Sequence, residues 1–295
     1  MHTIEALRRR IESTDSLHGV VRTMKALSMS SIQEAENAVD ALASYYRTVR
    51  LGLQIALQHR PAEVGRLPTA STGADGVLVF GSAWGMCGRF NEVLAAYAVD
   101  EMATWSRAPR RLVGLGEQMS GALEAAGQRV DTQQAVPESV AGITDRVQAL
   151  LVLIEEWRTV QGIDRVVLFY NEATSTTGYG PHSQLLLPLD AEWLDQLQAE
   201  AWPSRVVPAF RTPWSTLFPA LVRQYLFVSI YRAFAESLAS EHSSRLAAMQ
   251  AAEDNVEERL QHLHADFHRV RQSAITEELL DITSGFEALH TDQSF

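Results

Sequence analysis

The residues best suited to chemistry lie in one stretch, "FGSAWGMCGRFN" (80–91), where an apolar run meets three glycines and the only cysteine. A glycine-rich turn after a strand can cradle phosphate on the backbone N–H groups of the following helix. Gly81, Gly85 and Gly88 fit neither G-x-G-x-x-G nor G-x-x-x-x-G-K-[ST], and Lys25, the only lysine, is far away in sequence. The spacing reads instead as a tight strand-to-helix turn needing small residues, and nucleotide binding is disfavoured. Cys87 lacks an obvious histidine partner and reads as a small buried hydrophobe rather than a nucleophile. His264 and His268 stand four apart, but zinc needs further ligands, and beside Leu263 and Phe267 they read as a solvated flank. H-E-x-x-H and G-x-S-x-G are absent. The expectation is a chain with no catalytic residues, no metal and no cofactor.

The bulk composition narrows the class. With 295 residues, 46% hydrophobic and 21% charged, the chain has a globular composition and enough length for a real core. A net charge of −11 argues against nucleic-acid binding, which depends on cations neutralising phosphates. One cysteine excludes an intrachain disulfide, a dithiol switch and a Cys-rich zinc site. The start, "MHTIEALRRR", has no apolar signal region, and no run approaches the roughly 18 apolar residues of a membrane span.

The elements that must position the turn can be read from glycine and proline. After a loop with Pro203, Pro208, Pro213 and Pro219, neither residue recurs from Ala220 to Ser284. One continuous helix follows, on the order of 100 Å long at 1.5 Å per residue. Val256, Leu260, Leu263, Phe267, Val270 and Ala274 alternate steps of four and three, the coiled-coil period. The series then moves over by one residue and resumes as Ile275, Leu279, Ile282, Phe286 and Leu289. A matching stripe starts with Ile4, Leu7 and Ile11 and continues through Ala35, Val39, Leu42, Tyr46, Val49 and Leu53, with Gly19 and Gly52 as interruptions and Pro61 as its end. Two narrow seams at opposite ends of one chain predict an antiparallel intramolecular coiled coil. Between them, 76–82, 110–116, 165–174 and 182–190 read as strands and 140–160 as a helix, which predicts a mainly parallel, Rossmann-like sheet. The expected fold is an α/β Rossmann-like central domain plus a long antiparallel coiled coil. Its divisions are a 1–60 helix, a 70–205 α/β foot and a 215–289 helix.

Several motifs point to a family. "RQSAITEELLDITSGFEAL" (271–289) carries Ile275, Thr276, Glu278, Asp281 and Gly285 at the spacing of Ile-Thr-x-Glu, two residues, an acid, three residues, then Gly-Ala, with Phe286 in place of alanine. "SLASEHSSRLAAMQAAEDN" (237–255) is similar to S-E-H-x-x-R-x-x-A-M, "RRRIEST" (8–14) to R-R-I-x-S, "VRTMKALSM" (21–29) to A-M-K-M-V-A, and "GMCGRFN" (85–91) to G-L-C-G-G-F-N. Together these resemble the gamma subunit of F-type ATP synthases, the rotor shaft. The likeness covers both helices well and the central domain thinly. Three departures mark a divergent member, as expected of an alternative F-type ATPase. "SMSSIQEAE" (28–36) has no cation, Ala83 and Trp84 stand where Asp-Arg is common, and the chain is acidic.

The resemblance implies a non-catalytic central-stalk subunit coupling ion-driven rotation of the membrane c-ring to ATP synthesis or hydrolysis at the alpha/beta hexamer. It implies three alpha and three beta subunits, an epsilon subunit and the c-ring as partners, on the cytoplasmic face of a bacterial inner membrane. Matched position by position, it implies hexamer contacts at Arg8, Arg9, Met24, Lys25, Arg271, Gln272, Thr276 and Glu278. Two other readings fit the residues alone: a coiled-coil adaptor with an α/β head, and a small-molecule enzyme built on the central sheet.

Overall fold

The structure is a computed structural model. It describes residues 3–64, 73–106, 108–174, 178–206 and 208–291, with side chains described as far as residue 283. Two compact units are distinguished, Met1–Leu27 with Ala247–Phe295, and Ser28–Leu246.

In chain order the elements are α1 (Ile4–Gln58), β1 (Ala74–Phe80), α2 (Phe90–Ala103), β2 (Arg111–Leu115), α3 (Glu117–Ala125), β3 (Thr132–Gln134), a short 3-10 turn (Val140–Gly142), α4 (Ile143–Val160), β4 (Ile163–Thr174), β5 (Gly178–Leu187), α5 (Ala191–Ala199) and α6 (Trp214–Thr291). The N- and C-terminal helices α1 and α6 pack on one another within each unit, and the larger unit also holds a five-stranded mixed sheet ordered β3-β2-β1-β4-β5. β1 pairs in parallel with β2 and β4, β2 in parallel with β3, and β5 alone runs antiparallel, against β4.

The sheet follows from its apolar alternation. Val77, Val79, Val167 and Phe169 face α2 and α3, where Leu94, Ala98, Met119 and Leu123 pack on them. Leu78, Phe80, Val166 and Leu168 face the other way, onto Val147, Ile154 and Trp157 of α4 and Ile230 and Phe234 of α6. A strand covered on both faces has no polar side to show, which is why β1 reads as an unbroken apolar run. Phe80 and Phe234 meet edge to face with ring centroids 4.7 Å apart, so α6 is part of this core. A third core joins Val49, Leu53 and Leu57 of α1 to Leu194 and Leu197 of α5 and to Phe218 and Val228 of α6.

The structure corrects some details. Gly19 and Gly52 interrupt nothing, since α1 is continuous through both. Gly52 serves a close approach: a Cβ there would meet Leu221 Cδ2 of α6 at 2.9 Å. Pro219 lies inside α6 rather than in the preceding loop. The Thr216 and Leu217 amides both bond the Pro213 carbonyl, so the helix is already under way, and Pro219 deprives only the Ser215 carbonyl of a partner. β5 begins at Gly178, four residues before the expected strand. β3 and α5 have no counterpart in the sequence reading.

In the smaller unit, Leu7 and Val21 of α1 and Met249, Val256 and Leu263 of α6 are buried. Lys25 Nζ donates to Glu253 Oε2 at 2.7 Å, and His18 Nε2 lies 3.4 Å from Glu257 Oε1. These two pairs run in opposite senses along the two helices and fix an antiparallel register. By that register α1 runs out opposite the stretch near Ala274. Beyond it the seam residues Ile275, Leu279 and Ile282 are 46%, 59% and 63% exposed. Phe286 and Leu289 lie outside the described side chains.

Candidate functional site

The turn after β1 is built around one asparagine. Asn91, in the first turn of α2, accepts from the Ser82 amide at 3.0 Å and donates to Ser82 Oγ at 2.9 Å. The chain must pass close to α3 to reach it. A Cβ at Gly81 would sit 2.3 Å from Met119 Cβ, a distance that forbids any side chain. Met86 and Gly88 both take φ of 60°, which completes the tight reversal. Cys87 is buried in this turn, and desolvation pushes its thiol pKa up, away from the thiolate needed for attack.

The turn binds α6. Ser244 Oγ donates to the Cys87 carbonyl at 2.6 Å, and Tyr179 shares a hydrogen bond with the same hydroxyl at 2.9 Å. Arg245 reaches the Trp84 and Gly85 carbonyls at 3.4 Å each, while Glu241 holds the guanidinium at 2.6 Å. Arg245 and Glu241 are both buried. Burial raises the Glu241 carboxyl above its ordinary range, and the Arg245 charge and hydrogen bond offset only part of that. Next to them, burial first and the Arg245 charge second push His242 down from 6.5 to about 4. Farther along, Ser240 Oγ donates to the Asn171 carbonyl of β4 at 3.2 Å, and Asn171 Nδ2 donates to the Phe90 carbonyl at 3.3 Å. In a Rossmann-like sheet the carboxyl ends of adjacent strands form the crevice where ligands sit. Here a turn and a helix are hydrogen-bonded across the ends of β1 and β4. Residues 82–91 and 240–245 are thus two halves of one latch, and the Gly-rich turn holds a helix where a nucleotide fold would hold phosphate.

The eight residues matched to hexamer contacts do not form one cluster. Arg8, Arg9, Arg271, Gln272, Thr276 and Glu278 are exposed. Among the described residues no ion pair engages Arg8, Arg9, Arg271 or Glu278. Thr276 Oγ1 donates back to the Gln272 carbonyl of its own helix at 2.9 Å. Met24 and Lys25 are half-buried, and Lys25 is spent on Glu253, whose carboxyl it holds below the usual range, chiefly through their hydrogen bond. His264 and His268 are exposed. The sequence reading gave no role to Glu253 or Ser244, and Asn91 and Arg245 entered it only as motif letters. A polar residue at a seam position, such as Lys25 one heptad before Ile32, was the signal available for the first of these.

A protein-family model described as ATP synthase matches residues 3–289, nearly the whole chain. The chain belongs to the ATP synthase gamma chain family. Over 304 residues it is 26% identical to the ATP synthase gamma chain of Nitrosomonas europaea, covering 98% of this chain and 100% of that one. The gamma chain of Nitrosococcus oceani is 25% identical over 288 residues, covering 96% of this chain and 98% of that one. Among solved structures, a chain of the Euglena gracilis mitochondrial ATP synthase (OSCP/F1/c-ring) matches with a TM-score of 0.67 at 15% identity, covering 99% of this chain and 96% of that one. A chain of the Tetrahymena thermophila mitochondrial ATP synthase (central stalk/c-ring) matches with a TM-score of 0.56 at 18% identity, covering 79% of this chain and 99% of that one. This gamma chain is therefore the non-catalytic central-stalk subunit of an F-type ATP synthase. No helix among its described residues is long and apolar enough to cross a membrane.

Proposed function

We propose that the paired helices of this gamma chain turn inside a hexamer of three alpha and three beta subunits, and that the α/β region 70–205 is a foot gripping the c-ring and an epsilon subunit. The assembly works at the cytoplasmic face of a bacterial inner membrane. In this reading 1–60 and 215–289 are the two arms of the coiled coil. The observation that carries the proposal is the end of α6, where an apolar seam outlasts its partner helix. Leaving Ile275, Leu279 and Ile282 in water forgoes roughly 1.5–3 kcal/mol per fully buried side chain. A surrounding apolar collar recovers part of that without gripping one side of the helix.

Around this seam, Arg271, Gln272, Thr276 and Glu278 present polar groups to each beta subunit in succession, and Arg8 and Arg9 do so from α1. Exposed polar contacts of this kind are worth about 0–1 kcal/mol each, weak enough to be exchanged at every step. Rotation then changes the affinities of three chemically identical sites, because the asymmetric shaft touches each one differently. Met24 stands near beta's acidic lever in this reading. Lys25 acts there as well, with its charge shared between the lever and Glu253.

Co-purification of the tagged chain should recover alpha and beta subunits in threefold excess over gamma. Gln272→Leu and Arg271→Ala should lower coupled ATPase rotation while the isolated chain keeps its helical signal. Recovery of the chain without alpha or beta, or normal coupling in both variants, would remove the corresponding part of the proposal.

A further inference from the structure

Across the paired helices of the smaller unit, one imidazole and two carboxylates converge. His18 Nε2 of α1 lies 3.4 Å from Glu257 Oε1 and 3.9 Å from Glu253 Oε1 of α6. All three ligand atoms fall within 4.8 Å of one another, the one such group among the described residues. His18 Nε2 is sealed from solvent and has no hydrogen-bond partner. A buried ring nitrogen without a hydrogen bond is costly to keep, and here it points between two carboxylate oxygens. Glu253 is only 12% exposed on its side chain.

Lys25 supplies what a metal site needs beyond its ligands. Its ammonium holds Glu253 Oε2 at 2.7 Å, leaving Oε1 as the oxygen nearest His18. Hydrogen bonds to a ligating carboxylate of this kind fix its orientation. Arg22 competes weakly, since its Nε stands 3.7 Å from Glu253 Oε1 on a side chain 68% exposed to water, and it can swing away. Glu253 and Glu257 are one helical turn apart on the same face, the spacing that lets two side chains share one ion. We propose that His18, Glu253 and Glu257 bind one zinc-class divalent ion, with water completing the tetrahedron. A neutral imidazole with carboxylates suits Zn²⁺ or Co²⁺ better than the all-oxygen shells of Ca²⁺ and Mg²⁺. The ion ties α1 to α6 and fixes their register in this unit. The site rests on the helix pair itself, and its metal titration is read without the hexamer.

The full chain, stripped with a chelator and dialysed, is titrated with Co²⁺ while its visible absorption is followed, and Zn²⁺ is then used to displace the cobalt. One ion per chain with tetrahedral-type bands is expected. His18→Ala should abolish the bands, Glu257→Gln should weaken binding about tenfold or more, and His264→Ala, on an exposed histidine, should change nothing. Zn²⁺ should raise the thermal midpoint of the wild-type chain and leave that of His18→Ala in place. Absence of saturable binding, or binding untouched by both His18→Ala and Glu257→Gln, overturns the proposal. So does a signal lost in His264→Ala instead. If His18→Ala fails to fold by far-UV circular dichroism, Glu257→Gln decides the matter, because its carboxylate is largely exposed.

Discussion

Arg245 carries more of the latch than any other side chain. It neutralises Glu241 and donates to two carbonyls of the turn. Its removal leaves a buried carboxylate without a cation, a loss of about 3–5 kcal/mol for a pair this buried. Arg245→Met should therefore lower the urea midpoint strongly, and adding Glu241→Gln should return a good part of the loss, because the uncompensated charge is gone. If the double variant is no better than the single, the cost lies in the carbonyl contacts instead. His242 sets a pH dependence in the same place. Its folded pKa of about 4 lies below its ordinary 6.5, so the unfolded chain binds the extra proton throughout that interval. Stability from this group is complete above pH 6.5 and drains away as the pH falls toward 4. Thermal midpoints of His242→Gln should decline less between pH 6.5 and 4.5 than those of the wild type. Equal slopes would assign the acid loss to other groups.

At the level of elements, helices were more legible than the contacts they make. The four-three alternation from Val256 to Ala274 announced a narrow seam because only a partner helix, not a core, imposes that period. The seam could not announce its own register. That depends on Lys25 reaching Glu253, a pairing across 228 residues that no local pattern encodes. β1 and β4 were legible because burial on both faces forces apolar runs. β3, the three residues Thr132–Gln134, was not, since parallel pairing with β2 makes it a strand while its side chains carry no alternation. The glycine turn was half legible: its small residues signalled a tight path, but the helix it holds comes from far along the chain. Gly52 shows the limit of reading breakers. Sequence marked it as an interruption, whereas it makes room for Leu221 at a helix crossing. Gly52→Val should thus overpack the crossing and cost about 1–3 kcal/mol, despite favouring helix over glycine less than alanine would. Gly19→Ala, with nothing within 4 Å of the added Cβ, should stabilise by roughly 0.8–1 kcal/mol. Chemical denaturation of both variants checks the contrast, and destabilisation by Gly19→Ala would mean that something packs on that face.

For the whole molecule, the decisive question is why a chain with a net charge of −11 keeps large apolar side chains in water along the last described turns of α6. Ile275, Leu279 and Ile282, at 46%, 59% and 63% exposure, contribute little to the isolated fold, because burial energy is gained only when area leaves water. Replacing all three by glutamine retains good helix formers and removes only the apolar surface. The isolated chain should then keep its denaturation midpoint, with each change worth no more than about 0.5 kcal/mol. If the proposed apolar collar holds these residues in the assembled ATP synthase, the same variant should lose that hold, so that ATP-driven rotation slips or the gamma chain dissociates more readily at high dilution. Single-molecule rotation and subunit retention on a sizing column read the two consequences separately. A variant that turns and stays bound like the wild type would show that the exposed seam serves something other than the hexamer. A variant whose isolated chain is already unstable would show that these residues are packed within the chain after all.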